Sequence, residues 1–178
     1  MLNEFYEFIP EDRKGCVRLE ANVKYGTLSM LNNESPLLKS DVIIKKARGK
    51  NWYDVIQFDD SSFFVVSESV KELVESKNIT GLQLAKVNIV DAPVNYYLPI
   101  ITSIAGPILN LDALNSYETE NVAFDRRTYD GSKIFSLENT LLFVCDEKVK
   151  NILEKQEITN LKFRNNHFGN TQTFKSGI

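Results

Sequence analysis

Adjacent carboxylates are the first side chains in this sequence that suggest a chemical role. Asp59 and Asp60 stand side by side, and paired carboxylates can bind a metal ion or act as general acid and base. Ser61 and Ser62 follow them between two β-prone runs. Asp and Ser are favoured in such turns because their side chains hydrogen-bond the local backbone. We therefore expect a turn here, and we assign no catalytic residues and no metal site.

Other residues with chemical potential are few. His167 is the one histidine of the sequence, and no cysteine near it completes a zinc site. Cys16 and Cys145 are too few for a disulfide framework, so we expect both to be small buried hydrophobes. Neither the P-loop pattern nor a GxGxxG motif occurs, so no cofactor is predicted. A site assembled from scattered carboxylates stays open at this stage.

A cluster of four basic residues lies within residues 45–50. Such a cluster can bind phosphate, and Trp52 and Tyr53 could add stacking surfaces for a nucleic acid. Arg48 and Gly49 also stand between two β-prone runs, which is typical of a hairpin tip whose lysines keep a sheet edge from aggregating. We favour the hairpin tip and expect no nucleic-acid partner, while a ligand for residues 45–50 is left open.

The charges are unevenly distributed along the chain, whose formal net charge is −3. Residues 54–132 carry five basic and twelve acidic residues, whereas residues 1–53 and 133–178 each carry two more bases than acids. No basic residue occurs between Lys86 and Arg126. This acidic interval is the charge feature that best indicates a partner, and that partner would be basic.

One segment of the sequence recurs at a fixed spacing. Residues 54–84 align without a gap to residues 133–163, which lie 79 positions later, and nine of the 31 pairs are identical. A fixed offset over that length indicates a duplicated unit.

Each copy predicts a β-β-α-β module. Two β-prone runs flank a turn and are followed by a short helix and another strand. Ser67 stands at the N-cap position of the first helix, and Asp146 stands at that of the second. In the first helix Val70, Leu73 and Val74 form one apolar stripe.

These patterns predict an α+β protein: two pseudo-repeated β-β-α-β modules plus an N-terminal β region, with mostly antiparallel sheet and few short helices. We expect a single compact unit over residues 1–178. Its parts are an N-terminal β region (1–53), a first module (54–90), a β strand and acidic connector (91–132), a second module (133–168) and a tail (169–178). Pro99 removes a hydrogen-bond donor, which predicts an edge or bulged strand around it.

Apolar residues form no stretch long enough for a membrane span. No window approaches 18 uncharged apolar residues, and acids occupy the first residues where a signal peptide would carry bases. We therefore expect a cytoplasmic protein without a membrane partner.

Several module residues also match the pattern of a known family. The matching residues are Asp54, Val66-Ser67-Glu68, Lys71, Leu73 and Thr80-Gly81, with Tyr25-Gly26 upstream. In this pattern the sequence resembles the bacterial polymorphic-toxin immunity proteins of the family labelled immunity protein eleven. The resemblance covers most of the chain and concerns caps, turns and apolar stripes rather than a catalytic motif. It departs from the family at Asn160, where a glycine is more usual.

The resemblance implies a non-catalytic, cytoplasmic binding protein that neutralises a cognate toxin protein. The acidic connector, residues 108–125, is then our candidate toxin-binding surface. Its proposed contact residues are Asp112, Tyr117, Glu118, Glu120 and Asp125. The acids would complement the basic substrate cleft of a nuclease or similar toxin, and the tyrosine would be an aromatic anchor. A solvated acidic loop without a partner is the other interpretation.

Two further functions stay open. One is a small hydrolase or nucleotide-acting enzyme that uses Arg126 and Arg127 with Asp59 or Asp60. A deep pocket lined by ionisable groups with displaced pKa values would favour that enzyme. The other is a phage or cell-surface interaction module, which a stable homo-oligomer with no toxin encoded nearby would favour.

Overall fold

The structure is a computed structural model that describes residues 4–24, 35–59, 61, 63–110 and 122–165. Within these residues the strands are β1 (Phe5–Pro10), β2 (Arg18–Ala21), β3 (Ile44–Arg48), β4 (Val55–Phe58), β5 (Phe64–Ser67), β6 (Leu82–Val87), β7 (Tyr96–Ile101), β8 (Ile104–Ala105), β9 (Ile134–Leu137), β10 (Phe143–Asp146) and β11 (Leu161–Arg164). The α-helices are α1 (Glu68–Ser76) and α2 (Glu147–Lys155). The predicted α+β class, with few short helices, is confirmed. Neither helix in the described part of the chain is long and apolar enough to cross a membrane.

Both helices begin at the predicted residues, but only one is capped by its side chain. Asp146 accepts a hydrogen bond from the backbone nitrogen of Val149 at 2.8 Å, which satisfies a free donor of the first turn of α2. Ser67 has the extended backbone of an N-cap residue but makes no cap hydrogen bond. Its hydroxyl instead donates to Asp54 at 2.7 Å. The predicted position of the first cap is therefore right, and its expected hydrogen bond is wrong.

The strands form two sheets, which are mostly antiparallel. The order in one sheet is β11-β1-β10-β9-β8, and the order in the other is β3-β2-β4-β5-β7-β6. Parallel pairing occurs between β2 and β4 and between β8 and β9. The strands of the N-terminal region are thus divided between the sheets, because β1 belongs to the first and β2 and β3 belong to the second.

In the structure, corresponding elements of the two predicted modules begin 79 residues apart along the chain. The set β4, β5, α1 and β6 begins at residues 55, 64, 68 and 82, and the set β9, β10, α2 and β11 begins at residues 134, 143, 147 and 161. In neither set is the last strand hydrogen-bonded to the second. A strand from elsewhere lies between them: β7 in the first set, and β1, the first strand of the chain, in the second. That the two sets arose by duplication stays a prediction.

The two inserted strands occupy equivalent registers. Tyr97 of β7 pairs with Val66, and Tyr6 of β1 pairs with Cys145, the residue 79 positions after Val66. The ammonium of Lys71 lies 5.4 Å from the centre of the Tyr97 ring, and the ammonium of Lys150 lies 5.1 Å from that of Tyr6. Equivalent helix residues therefore cover equivalent rings by cation–π contact.

One hydrophobic cluster contains the corresponding residues of both sets. Phe64 and Phe143 pack with their ring centres 4.8 Å apart. The other buried pairs of this cluster are Val55 with Ile134, Val66 with Cys145, Val70 with Val149, and Val74 with Leu153. Each set buries its apolar face against the other, so neither face has to be covered by a separate layer.

Reciprocal backbone hydrogen bonds join the sets at the edge of this cluster. Val55 donates to the carbonyl of Thr159 at 3.3 Å, and Ile134 donates to the carbonyl of Thr80 at 2.9 Å. We call these contacts the clasp: the turn after each helix holds the first strand of the other set. Asp54 strengthens one half, because its carboxylate accepts bonds from the hydroxyl and the backbone nitrogen of Thr159 at 2.6 and 2.9 Å.

Glycine and asparagine occupy equivalent positions in the two halves of the clasp. Gly81 has a φ of +93°, and a Cβ placed there would lie 1.6 Å from the carbonyl oxygen of Ile134. Asn160 has a φ of +63°, which asparagine tolerates, and its amide donates to the carbonyl of Val55 at 2.7 Å. Asn160 therefore makes a side-chain hydrogen bond at the position where Gly81 makes a close backbone approach.

Two local expectations are wrong. Pro99 lies in β7, which is an inner strand of its sheet. The proline is tolerated there because β5 pairs only with Tyr96 and Tyr97 and needs no hydrogen-bond donor from Pro99. Residues 45–50 are not a hairpin tip, since β2 lies between β3 and β4. Gly49 instead packs against the backbone of Cys16, where an added Cβ would lie 2.0 Å from the carbonyl oxygen.

Replacement of Asp54 tests the clasp. Burial raises the pKa of Asp54, but the hydrogen bonds from Thr159 and Ser67 outweigh it and hold the pKa below its usual 3.8. Asp54→Asn should lower the free energy of unfolding at pH 7 by about 1–3 kcal/mol, because bonds to a charged acceptor are lost. Since the folded-state pKa is depressed, this difference should begin to shrink as the pH falls below the usual 3.8 and should be lost as the pH falls through the lower folded-state pKa. Urea unfolding at several pH values measures it.

The control is Asp91→Asn. Asp91 is exposed and has a φ of +59°, which asparagine also adopts. Equal stability of the two variants at pH 7 would contradict a stabilising role for Asp54.

Candidate functional site

The ends of the acidic connector are held together by a short paired stem. Ile108 and Phe124 form an antiparallel bridge, Leu109 donates to the carbonyl of Ala123 at 2.8 Å, and Asp125 donates to that of Pro107 at 3.0 Å. The chain therefore enters and leaves residues 111–121 at the same place. We call residues 107–110 and 122–125 the stem.

The stem is anchored in a hydrophobic cluster of its own. Ile108, Val122 and Phe124 are buried there. Phe5 of β1 packs on Phe124 with ring centres 6.0 Å apart, and Phe135 of β9 packs on it at 5.7 Å. The anchor thus consists of the five-stranded sheet, which gives the stem a rigid base.

Most of the predicted contact residues lie outside the described part of the chain. These residues are Asp112, Tyr117, Glu118 and Glu120. Asp125 is described, and only 17% of its side chain is exposed. It caps the 3-10 turn Arg126–Thr128 by accepting a hydrogen bond from the backbone nitrogen of Arg127 at 3.0 Å.

A bidentate ion pair neutralises the charge of Asp125. Nε of Arg127 lies 2.9 Å from Oδ1 of Asp125, and Nη2 lies 2.6 Å from Oδ2. Hydrogen bonds from the Arg127 side chain and backbone lower the pKa of Asp125 to about 2. Asp125 therefore stays ionised but contributes no uncompensated negative charge. The side chain of Arg127 is 90% exposed, so its guanidinium forms the solvent-facing side of the pair.

Two aliphatic side chains are exposed in the chain that leads into the connector. Ile104 of β8 is 59% exposed, and Leu109 of the stem is 50% exposed. Gly106, between them, donates to the hydroxyl of Thr128 at 2.8 Å, which ties β8 to the turn after the stem. Exposed aliphatic groups beside charged residues are suited to a protein interface.

The described residues on which the alternative enzyme function depends do not lie together at one site. Asp59 lies at the end of β4 and pairs with Arg48 at 2.6 Å. Arg126 lies against the five-stranded sheet, with its guanidinium 5.5 Å from the centre of the Phe5 ring. Arg127 is paired with Asp125, and Asp60 lies outside the described residues.

Both thiols are buried. Cys145 is fully inaccessible, and burial raises the pKa of its thiol far above the usual range. Cys16 is 6% exposed, and burial likewise raises the pKa of its thiol. His167 lies outside the described residues. Within the described ranges, no three His, Cys, Asp or Glu side chains are grouped so that they could hold a metal ion.

The basic stretch forms an edge strand beside a shallow cleft. Lys45, Lys46 and Arg48 of β3 are exposed at the edge of the six-stranded sheet. Lys45 pairs with Glu20 at 3.2 Å. The neighbouring cleft has a volume of about 330 Å³ and is lined by Asp12, Arg13, Lys14, Gly15, Cys16, Arg18, Arg48 and Gly49. Ion pairs within the fold compensate much of its charge.

The sequence offered only a weak signal for the partner of Asp125. An arginine two residues after an aspartate also occurs on solvated surfaces, so this spacing alone does not predict a bidentate pair. Comparison of the chain with models of known protein families gives no match, and neither does comparison with curated proteins.

The ion pair can be tested by titration. Arg127→Ala should raise the pKa of Asp125 from about 2 toward 3.8, because the charged donor that favours the ionised form is removed. NMR of the Asp125 carboxyl carbon as a function of pH measures this shift. Arg13→Ala is the matched control, since Arg13 pairs with Glu11 rather than Asp125. An unchanged Asp125 titration in Arg127→Ala would refute the ion pair.

Proposed function

We propose that this protein is a non-catalytic inhibitor that binds and neutralises a cognate bacterial toxin in the cytoplasm, as the resemblance to immunity proteins implies. The toxin is contacted by the acidic connector. The observation that carries the proposal is the anchored stem, which fixes both ends of residues 111–121 on the five-stranded sheet.

Anchoring favours binding by lowering its entropic cost. A segment whose ends are already closed loses less conformational freedom when it is ordered by a partner. Residues 111–121 contain three acids and no base. Their carboxylates attract a basic substrate cleft over several ångströms and raise the rate of encounter. Tyr117 adds an aromatic side chain of the type that dominates interface energetics.

The exposed residues around the stem extend this surface. Ile104 and Leu109 offer apolar contact area, and Arg127 offers a charged rim. A stable complex typically buries about 1,600 Å² in total, so the proposed surface extends to these neighbours.

The non-catalytic part of the proposal rests on how the described ionisable groups are used. Asp54 holds the clasp, Asp59 and Asp125 neutralise arginines, and both thiols are buried. These groups contribute to the fold and are not directed at a common substrate position, which an acid, a base and a nucleophile require.

The test is binding to the product of the adjoining reading frame, co-expressed and purified with this chain. Glu118→Lys/Glu120→Lys should weaken the complex at least tenfold, about 1.4 kcal/mol, because two attractive charges become repulsive. The association rate should fall most, and its dependence on salt should diminish. Biolayer interferometry at two ionic strengths measures both quantities.

The control variant is Glu72→Lys/Glu157→Lys, which changes the net charge equally at exposed positions of the helical regions. It should bind like the wild type. If the adjoining product does not bind the wild type, the inhibitor proposal fails. If it binds both double variants with wild-type affinity, the connector is not the contact surface.

A further inference from the structure

The outer edge of β6 presents backbone groups that no described residue hydrogen-bonds. β6 ends the six-stranded sheet, and β7 is its neighbour on one side. Thr102 donates to the carbonyl of Gly81 at 3.0 Å, so these two residues are a hydrogen-bonded pair of the ladder. In an antiparallel ladder such pairs recur at every second residue, here at Gly81, Gln83, Ala85 and Val87. Leu84 lies opposite Pro99, which has no N–H to offer. The N–H and C=O groups of Leu82, Leu84 and Lys86 therefore point away from β7.

Ile89, just past the end of β6, pairs with Ile44, and the 3-10 turn Pro36–Leu38 lies near β6, but no described residue hydrogen-bonds the outward groups of Leu82, Leu84 and Lys86. The remaining sheet edges are less suited to strand addition. β3 carries Lys45, Lys46 and Arg48, β8 has only two residues, and β11 carries Lys162 and Arg164. Basic residues and short length are the usual means of protecting an edge. β6 has one charged residue among its six.

The residues with outward backbone groups also share one side of the sheet. Residues two apart in a strand face the same side, and Lys86 pairs with Tyr97, whose hydroxyl contacts Glu68 of α1. Leu82 and Leu84 line a cleft of about 560 Å³ together with Val74 and Glu75 of α1. Lys86 lines a second cleft, of about 470 Å³, near Glu68. The α1 side of β6 thus has acidic groups at both ends and leucines at the centre.

We infer that β6 pairs with β6 of a second copy of this chain. The strands are antiparallel, and a twofold axis passes beside Leu84. Leu84 then pairs with Leu84 of the partner subunit, and Leu82 pairs with Lys86 of the partner subunit. Each of the three pairs exchanges two backbone hydrogen bonds, so all the outward groups of Leu82, Leu84 and Lys86 are satisfied. The same surface serves both copies, as a twofold interface requires.

The charges fit this register. Lys86 reaches the end of the partner strand at Leu82, where Glu75 lines the cleft. The carboxylate of Glu75 binds Lys71 through Oε2 at 2.6 Å and has 60% of its side chain exposed, so it can receive a second cation. The two copies of Lys86 stand at opposite ends of the pair, about 14 Å apart for four residues of strand, where their repulsion is largely screened.

Sedimentation velocity measures the association without a toxin or any other ligand. The wild type should approach twice the chain mass of 20.3 kDa as its concentration rises. Lys86→Glu places a carboxylate against Glu75 of the partner subunit, and Glu75→Lys places an ammonium against Lys86 of the partner subunit. Each variant alone should dimerise at least tenfold more weakly than the wild type.

Mixing the two variants provides a test that misfolding cannot imitate. In the mixed dimer, one contact joins Glu at position 86 to Lys at position 75, and the other joins the native Lys86 to the native Glu75. An equimolar mixture should therefore recover dimer of wild-type affinity. Glu72→Lys, which changes a neighbouring exposed helix residue, is the control and should dimerise like the wild type.

Three results would overturn the inference. They are a wild type that stays at 20.3 kDa at every concentration, a Lys86→Glu variant that dimerises like the wild type, and a mixture that stays monomeric. The first result would leave the free edge to an extended strand of a different protein. None of these outcomes depends on the proposed toxin, so a failure here and a failure of the proposed function are separate.

Discussion

Mutual support between two similar sets of elements is the constraint on which this structure depends. The apolar faces of the first and second sets form one cluster, and the clasp closes its edge with backbone hydrogen bonds exchanged in both directions. A single set would expose Val55, Phe64 and the stripe of α1 to water. The stability of each half is therefore a property of the pair, which is why one shared cluster forms between short strands and two helices of nine residues.

The two halves of the clasp achieve similar geometry with different side chains. Gly81 lets the backbone approach Ile134, whereas Asn160 reaches Val55 through its amide. Asp54 accepts a hydrogen bond from the hydroxyl of Thr159. Lys133, at the equivalent position, donates hydrogen bonds from its ammonium to the carbonyls of Lys77 and Asn78. Such differences are tolerated because the backbone path is shared and only the local donors and acceptors change. Selection for a binding surface can then act on the parts that the halves do not share.

Local chemistry explains how far the sequence could predict this fold. The cap at Asp146 and the stripes of both helices depend on residues within one turn of each other, so they were predictable. The pairing of β7 with β5 and of β1 with β10 joins residues more than 25 positions apart, and no local pattern specifies it. Pro99 illustrates the limit, because its cost depends on where β5 ends. At the candidate site the acidic composition was visible, but the pairing of Asp125 with Arg127 and the stem required tertiary geometry.

The position of β1 has a consequence for biosynthesis. β1 leaves the ribosome before its hydrogen-bonded neighbours β10 and β11, which begin at residues 143 and 161. Its phenylalanines consequently have no native strand partner until those residues have been synthesised, and its final pairing closes a loop of well over a hundred residues. Contacts of such long sequence separation slow folding and prolong the exposure of apolar surface. The strands of the six-stranded sheet, which all lie before residue 102, are synthesised before strands β9, β10 and β11 of the five-stranded sheet.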